Sequence, residues 1–363
     1  MLYLGLLPAE THNIMSLIFH DGFDEYSTYA DMESIGGWAT YNNPTIVDTF
    51  RAVGSKCLRL EGVGSTSSAR IFFPNQVGNT VFFGFAYKLE GNGDFDSYAF
   101  HFGGGGIEAA NYQIYIKWDS GSGNRRFTAY TAEANTLVAQ GAIGSVDPAI
   151  EHLIQFKVKI AATGGIIEML IDGTTHFSYT GDVQNSANTA LEWVYFAYPA
   201  GVHSNYIDDL WICNDQGTIN NTYLGNMLAK FTNPTSDDSV QWTKNTGADN
   251  HSAVDDPVGS PDGDTTYIAD GTSGHKDVYG YSTLTQTYGG AFAGVKLVTN
   301  AKSESGAISI KAGIKSGANE QQVEHALTTS YAPYTDYFET SDGATTPFTI
   351  TTIDSLQSTI EVV

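Results

Sequence analysis

At 363 residues the chain is long enough for two domains, each with its own core. A hydrophobic content of 41% with 12% aromatics excludes a disordered chain, while only 16% charged residues and 39 glycines favour many short strands joined by tight turns. The net charge of −23, from 40 acidic and 17 basic residues, repels phosphate backbones and argues against nucleic acid as a partner.

Residues 1–15 begin with an apolar run that has no basic flank and stops at Pro8. It is too short for a signal-peptide core or a membrane span, and no membrane partner is expected. It reads as an arm ahead of the first domain. Leu2, Tyr3, Leu4, Leu6 and Leu7 are candidate docking residues for assembly.

Residues 16–216 read as an all-β domain. Leu17, Ile18 and Phe19 open it, followed by Asp21, Gly22 and Phe23. Within 27–38, Tyr29, Met32 and Ile35 fall at helical spacing behind Ser27 and Thr28 as caps, and Gly36 and Gly37 stop the helix. Short strands follow at 45–50, 57–61 and 69–73. Residues 80–89, TVFFGFAYKL, read as a central strand in which Gly84 marks a bend or a close backbone approach. A strand at 97–102 leads to four glycines at 103–106. They resemble a phosphate cradle only superficially, since no Lys-Ser/Thr follows and no helix begins there. Residues 111–118 and 125–131 form a hairpin. Residues 152–172 show the clearest period of two, with Ile154, Phe156, Val158 and Ile160 on one face, a Thr-Gly-Gly turn, and a return strand ending at Asp172-Gly173. The closing strand, 206–215 (YIDDLWICND), places Asp208 beside Asp209. Neighbouring side chains in a strand point to opposite faces, so one aspartate points inward or sits at a bulge. Cys57 and Cys213 match no metal-ligand spacing and read as free, buried thiols.

Residues 217–225 are a polar junction, and 217–363 resume with strands of their own. A strand lies at 240–244, and a turn at 261–264 leads into 265–269. Strands at 291–299 and 307–314 read as a pair. Further strands lie at 323–330 and 335–340, and Thr351 or Thr352 caps a short helix before a last strand at 359–363.

The order strand, Thr-Gly-Gly, strand, Asp-Gly, then a closing strand with Ile207-Asp208-Asp209-Leu210, resembles the laminin-G-like, concanavalin-A-like sandwich of bacteriophage virion proteins. Asp21-Gly22-Phe23 fits its opening strand. Tyr223-Leu224-Gly225, Gln241-Trp242-Thr243, Asp262-Gly263-Asp264 and the segment 353–363 resemble the domain that follows it in those proteins. The resemblance implies two β-sandwich (jelly-roll) domains in series, the first concanavalin-A-like. It implies a virion structural protein, assembled in the host cytoplasm and displayed as a capsid decoration, fibre or tail-associated component. Its partners would be capsid or tail proteins and copies of itself. The alternative is a receptor-recognition module that binds a host surface glycan.

No paired-carboxylate run, metal-binding histidine spacing or nucleophile elbow occurs, so the chain is expected not to be an enzyme. The one cofactor considered is calcium, with Asp208 and Asp209 as candidate ligands, joined by Asp21 or Asp24 if the two segments meet. Trp38, Tyr41, Tyr112 and Trp118 are candidates for stacking on sugar rings, against a background in which most aromatics of such a sandwich belong to the core.

Overall fold

The computed structural model describes residues 15–42, 44–48, 50–51, 55–61, 67–90, 97–105, 111–132, 135–148, 150–185, 188–198, 204–257, 260–283, 292–304, 306 and 308–363. The arm residues Leu2, Tyr3, Leu4, Leu6 and Leu7 lie outside them.

The chain opens with β1 (Leu17–Asp21), helix α1 (Tyr29–Ser34), β2 (Trp38–Tyr41), β3 (Thr45–Asp48), β4 (Lys56–Glu61) and β5 (Ser67–Phe72). Next come β6 (Val81–Leu89), β7 (Ser97–Gly103), β8 (Tyr112–Asp119), β9 (Arg126–Thr131) and β10 (Thr136–Gln140). This half ends with β11 (His152–Lys159), β12 (Gly165–Ile171), β13 (Thr174–Gly181), β14 (Trp193–Tyr198) and β15 (Ser204–Asn214). These strands make two antiparallel sheets. An eight-stranded sheet runs β13-β12-β11-β6-β15-β4-β3, with β1 also pairing β15. A seven-stranded sheet runs β10-β9-β8-β7-β14-β5-β2. The fold of this half is thus an antiparallel β-sandwich of two sheets.

Alternation decides which side chains meet between the sheets. Phe83 and Phe85 of β6 pack against Phe102 and Phe100 of β7 with ring centroids 5.1 and 5.2 Å apart, and Phe196 of β14 lies 5.1 Å from Phe85. Such edge-on and tilted pairs add about 0.5–1.5 kcal/mol each beyond the area they bury. On the opposite face of β6, Gly84 faces Trp211, and a Cβ at Gly84 would stand 2.2 Å from the indole. The glycine is what lets the Trp211 ring lie flat on its neighbour strand. Helix α1 is capped by Thr28, whose side chain accepts from the Asp31 amide while Asp31 accepts from the Thr28 amide.

The second half contains β16 (Ser236–Ser239), β17 (Thr243–Lys244), β18 (Ile268–Ala269), β19 (Lys276–Gly280) and β20 (Val295–Ala301). It closes with β21 (Ser309–Ser316), β22 (Asn319–Ala326), β23 (Ala332–Phe338), helix α2 (Ile350–Asp354) and β24 (Leu356–Val362). A five-stranded sheet runs β16-β19-β24-β21-β22 with β22 outermost, and β17-β18 and β20-β23 form two-stranded ribbons. Ile314, Phe338 and Phe348 join the sheet to the β20-β23 ribbon. Among the described residues, no sheet takes strands from both sides of residue 217.

Several local expectations need correction. The strand at 295–301 pairs with β23, not with β21, and β21 lies between β22 and β24. Strands β2 and β10 were not foreseen, because neither four- nor five-residue segment alternates cleanly. Helix α2 is capped by Thr349, earlier than expected, with Thr352 as the reciprocal partner of its capping box.

The halves meet through buried polar contacts. Glu339 accepts from the Ser16 and Leu17 amides at 2.9 and 3.0 Å and from Asn220 at 2.9 Å. Lys296 of β20 reaches Glu25 at 2.6 Å and Asp21 at 3.9 Å, and the Lys296 and Glu25 side chains keep only 9% and 8% exposure. Burial alone would lower the Lys296 ammonium, but Asp21 and Glu25 outweigh it and hold its pKa above the usual lysine value. Burial raises Asp21 to about 6 against the pull of Lys296, whereas in Glu25 the ammonium prevails over burial and the pKa falls. Replacing one partner of such a cluster strands the others without water. Lys296→Met is therefore expected to cost about 3–5 kcal/mol in urea unfolding. The loss should shrink at acid pH, where Asp21 and Glu25 can take up protons; unfolding at the wild-type midpoint at neutral pH would refute this account.

Candidate functional site

The two outer faces of the sandwich differ in what covers them. On the eight-stranded sheet, the connector after β15 lies across Phe82, Trp211 and Cys213. Tyr223, Leu224 and Met227 pack there, Trp211 Nε1 donates to the Gly225 carbonyl at 3.2 Å, and the Tyr223 hydroxyl donates to Glu168 at 2.8 Å. Arg51 fastens the same connector, donating to Asn226 at 2.6 Å and to the Met227 carbonyl at 3.1 Å.

Asp208 and Asp209 belong to this fastening. Asp209 sits at a break in the β6–β15 register with a φ of 51°, so the pair is accommodated by a bulge. One Asp209 oxygen accepts from the Ala229 amide at 2.6 Å and the other pairs with Arg51. Asp208 accepts from the Asp209 amide at 2.8 Å and from Ser55 at 3.4 Å. Asp21 and Asp24 do come near, since β1 pairs with β15, but Asp21 accepts from Tyr26 and Trp38, and Asp24 accepts from the Lys56 amide. A calcium ion needs about six to eight oxygens. Here the Arg51 guanidinium holds the place of a cation and the oxygens are already engaged, so the residues present do not fit calcium. Among the described residues, no group of three or more acidic, histidine or cysteine side chains could hold a metal.

The seven-stranded sheet presents an outer face of different character. In β5, Ala69 and Ile71 point into the core while Ser68, Arg70 and Phe72 point out. The register then aligns one outward residue from each of five strands: Arg70 opposite Tyr195, Tyr195 opposite His101, His101 opposite Tyr115, and Tyr115 opposite Tyr130. The His101 ring lies 5.1 Å from Tyr195 and 5.0 Å from Tyr115. The Arg70 guanidinium lies 4.7 Å over Trp193 and 4.9 Å over Tyr195. Lys117 stands 4.5 Å over Tyr130. Burial, followed by the charge of Arg70, lowers His101 to about 3, so the imidazole is neutral at physiological pH. The face thus offers a row of rings for apolar sugar faces and tyrosine hydroxyls for hydrogen bonds, with the imidazole of His101 nearly buried among the rings and a guanidinium at one end.

The candidate sugar-stacking residues divide. Tyr112 lies on this face, 5.1 Å from both His101 and Trp193, and Tyr41 stands at its edge with 64% exposure. Trp38 and Trp118 are corrected: both are core residues with 3% and 1% exposure, and Trp38 spends its N–H on Asp21. Trp118 follows Ile114 and Ile116 in one alternating set, a signal readable beforehand. Arg70, His101, Tyr115 and Tyr195 were missed as a group because their alignment depends on the register of strands far apart in sequence.

No family model matches the chain, and no curated protein matches it. Solved structures do resemble it. Alginate lyase Aly36B is 14% identical with a TM-score of 0.42, over 55% of this chain and 98% of the lyase. Lectin I-B4 from Griffonia simplicifolia is 13% identical with a TM-score of 0.40, over 54% and 99%. A carbohydrate esterase from Shiga toxin-encoding bacteriophage phi24B is 13% identical with a TM-score of 0.35, over 48% and 89%. At these values the likeness concerns the fold. The expectation that the chain is not an enzyme is nevertheless withdrawn, because lyases and an esterase stand among the structures of this shape.

Burial, and then the charge of Asp209, raises Asp208 to about 8, and burial raises Asp209 to about 6. An acid whose folded pKa exceeds its unfolded value takes up a proton on folding, so its contribution grows as pH falls below the folded value. The melting temperature is therefore expected to fall as pH rises through about 8. Asp208→Asn, which mimics the protonated acid, should flatten that decline while melting like the wild type at mildly acid pH. Parallel pH profiles for the two proteins would overturn the assignment.

Proposed function

We propose that the chain recognises carbohydrate on the outer face of its seven-stranded sheet. The observation that carries this reading is the row Arg70–Tyr195–His101–Tyr115–Tyr130, which sets aromatic and hydrogen-bonding groups side by side across five strands. Tyrosine suits such a surface because it combines a flat apolar ring with a polar tip and loses little conformational freedom on binding. Sites on strands also hold their geometry better than sites on loops. The likeness of the sequence motifs to phage virion proteins supports a setting for this face: a component displayed on a particle among capsid or tail proteins and further copies of the same chain. The connector packs on the opposite sheet, not on the face that carries the row.

A glycan array probed with the full chain tests the reading. Binding should weaken about tenfold or more in Tyr195→Ala and Tyr115→Ala, in keeping with the loss of one well-placed contact. Failure to bind any glycan would remove it.

A second reading, cleavage of the bound polysaccharide, is favoured by one contact set. The hydroxyls of Tyr195 and Tyr115, whose rings lie about 5 Å from the nearly buried, neutral imidazole of His101 that positions them, are groups able to hold and transfer a proton at a bound substrate. The check is release of reducing ends from bacterial surface polysaccharides, lost in both His101→Asn and Tyr195→Phe. Absence of release from every polysaccharide that binds would leave recognition alone.

A further inference from the structure

Arg70 is anomalous among the arginines that are withdrawn from water, Arg125 being exposed. Arg51, Arg59 and Arg126 each pair with carboxylates. Arg70 is only 9% exposed, makes no ion pair among the described residues, and its Nε is buried without a hydrogen-bond partner. Partners are not scarce in a chain with 40 acidic and 17 basic residues. What lies beneath the guanidinium is instead the rings of Trp193 and Tyr195. Aromatic faces stabilise a cation without neutralising it, so its charge and part of its hydrogen-bonding capacity remain unspent. A buried guanidinium left in this state is costly in the free protein and is relieved by an incoming anion.

Resting on the carbohydrate reading above, we propose that the glycan is acidic and that Arg70 anchors the carboxylate of a uronic-acid residue whose neighbours stack along the tyrosine row. A planar guanidinium matches a planar carboxylate through two parallel hydrogen bonds, which an ammonium cannot reproduce. The position also suits register. Arg70 stands at one end of the row, so a sugar held by its carboxylate there would leave the chain free to run over Tyr195, His101 and Tyr115.

The overall charge gives the proposal a distinctive signature. At −23 the protein repels a polyanion at long range, and salt screens that repulsion beyond about 8–10 Å. The recessed Arg70 contact is screened far less. Affinity should therefore hold or rise between low and physiological salt, opposite to the behaviour of a basic surface patch.

The test is calorimetric titration of the full-length protein with a polyuronate, with the same polymer after reduction of its carboxyl groups, and with dextran sulfate. Arg70→Lys and Arg70→Met are compared with the wild type, with melting temperature as the control for folding. The expected result is binding of the polyuronate, at least about tenfold weaker binding of the reduced polymer, and a comparable loss in both variants. Arg70→Lys carries the test if Arg70→Met fails to fold, since it keeps the charge and loses the fork. Equal affinity for polyuronate and reduced polymer, an unaffected Arg70→Lys, or binding of dextran sulfate in place of polyuronate would each overturn the role of Arg70 while leaving carbohydrate recognition in place. Binding to no polysaccharide, neutral or acidic, would overturn both.

Discussion

A lysine ammonium withdrawn from water must be matched by nearby negative charge, and at Lys296 that requirement organises the protein. Asp21 ends β1, Glu25 lies in the turn before α1, and Lys296 belongs to the ribbon of the second half. Asp21 is in turn bound to Tyr26 and Trp38, so the same charge centre orients the first turn and the edge of the seven-stranded sheet. Glu339 adds a second tie by taking the amides of Ser16 and Leu17 at the start of β1. The opening strand is consequently held from both sides, by β15 within its own sheet and by the ribbon beyond it.

This arrangement divides the surface of the sandwich by use. One outer face carries Trp211, Phe82 and Cys213, which are apolar enough to need cover, and the connector supplies it. The other carries half-buried tyrosines around the nearly buried His101 and Arg70, and no connector lies over them among the described residues. Of Asp208 and Asp209, which looked like metal ligands, Asp209 serves the covered face by binding Arg51 and the connector backbone, while Asp208 accepts from the Asp209 amide and Ser55. Three glutamates of the sandwich fasten neighbouring segments in the same manner: Glu168 receives Tyr223, Glu192 receives the Gly105 amide, and Glu151 receives Arg51.

Much of the sandwich was legible in the sequence, and for identifiable reasons. The β11–β12 hairpin is short-range and strictly alternating, so Ile154, Phe156 and Val158 announced their common face. Gly84 announced a close approach, although not that Trp211 would make it. Adjacent Asp208 and Asp209 announced either an inward-pointing aspartate or a bulge, and the register break shows the bulge. The ribbon was not legible: β20 and β23 are separated by two other strands, and nothing local in either distinguishes one partner from another. The same holds for the candidate site. His101 alternates visibly with Phe100 and Phe102, which shows that it faces outward. That it faces outward beside Arg70, Tyr195 and Tyr115 is a property of four registers at once, set by the whole sheet. Among the aromatic candidates, Tyr112 shares the even-numbered set of Ile114, Ile116 and Trp118, and only an irregularity in the β7–β8 pairing beside it turns it to the other face.

The outermost strand of the second half has its own consequence. Strand β22, NEQQVEHA, pairs with β21 on one side only and leaves its other backbone groups unpaired within the sheet. Such an edge invites another strand, and sequences discourage it with charge and polarity. Here Glu320 and Glu324 supply like charges to any identical edge that approaches, and the intervening glutamines offer little apolar surface to glue two copies together. Copies crowded at high local density would therefore slide past one another along this border. That border is thereby the part of this sheet least suited to accept a strand from an identical copy.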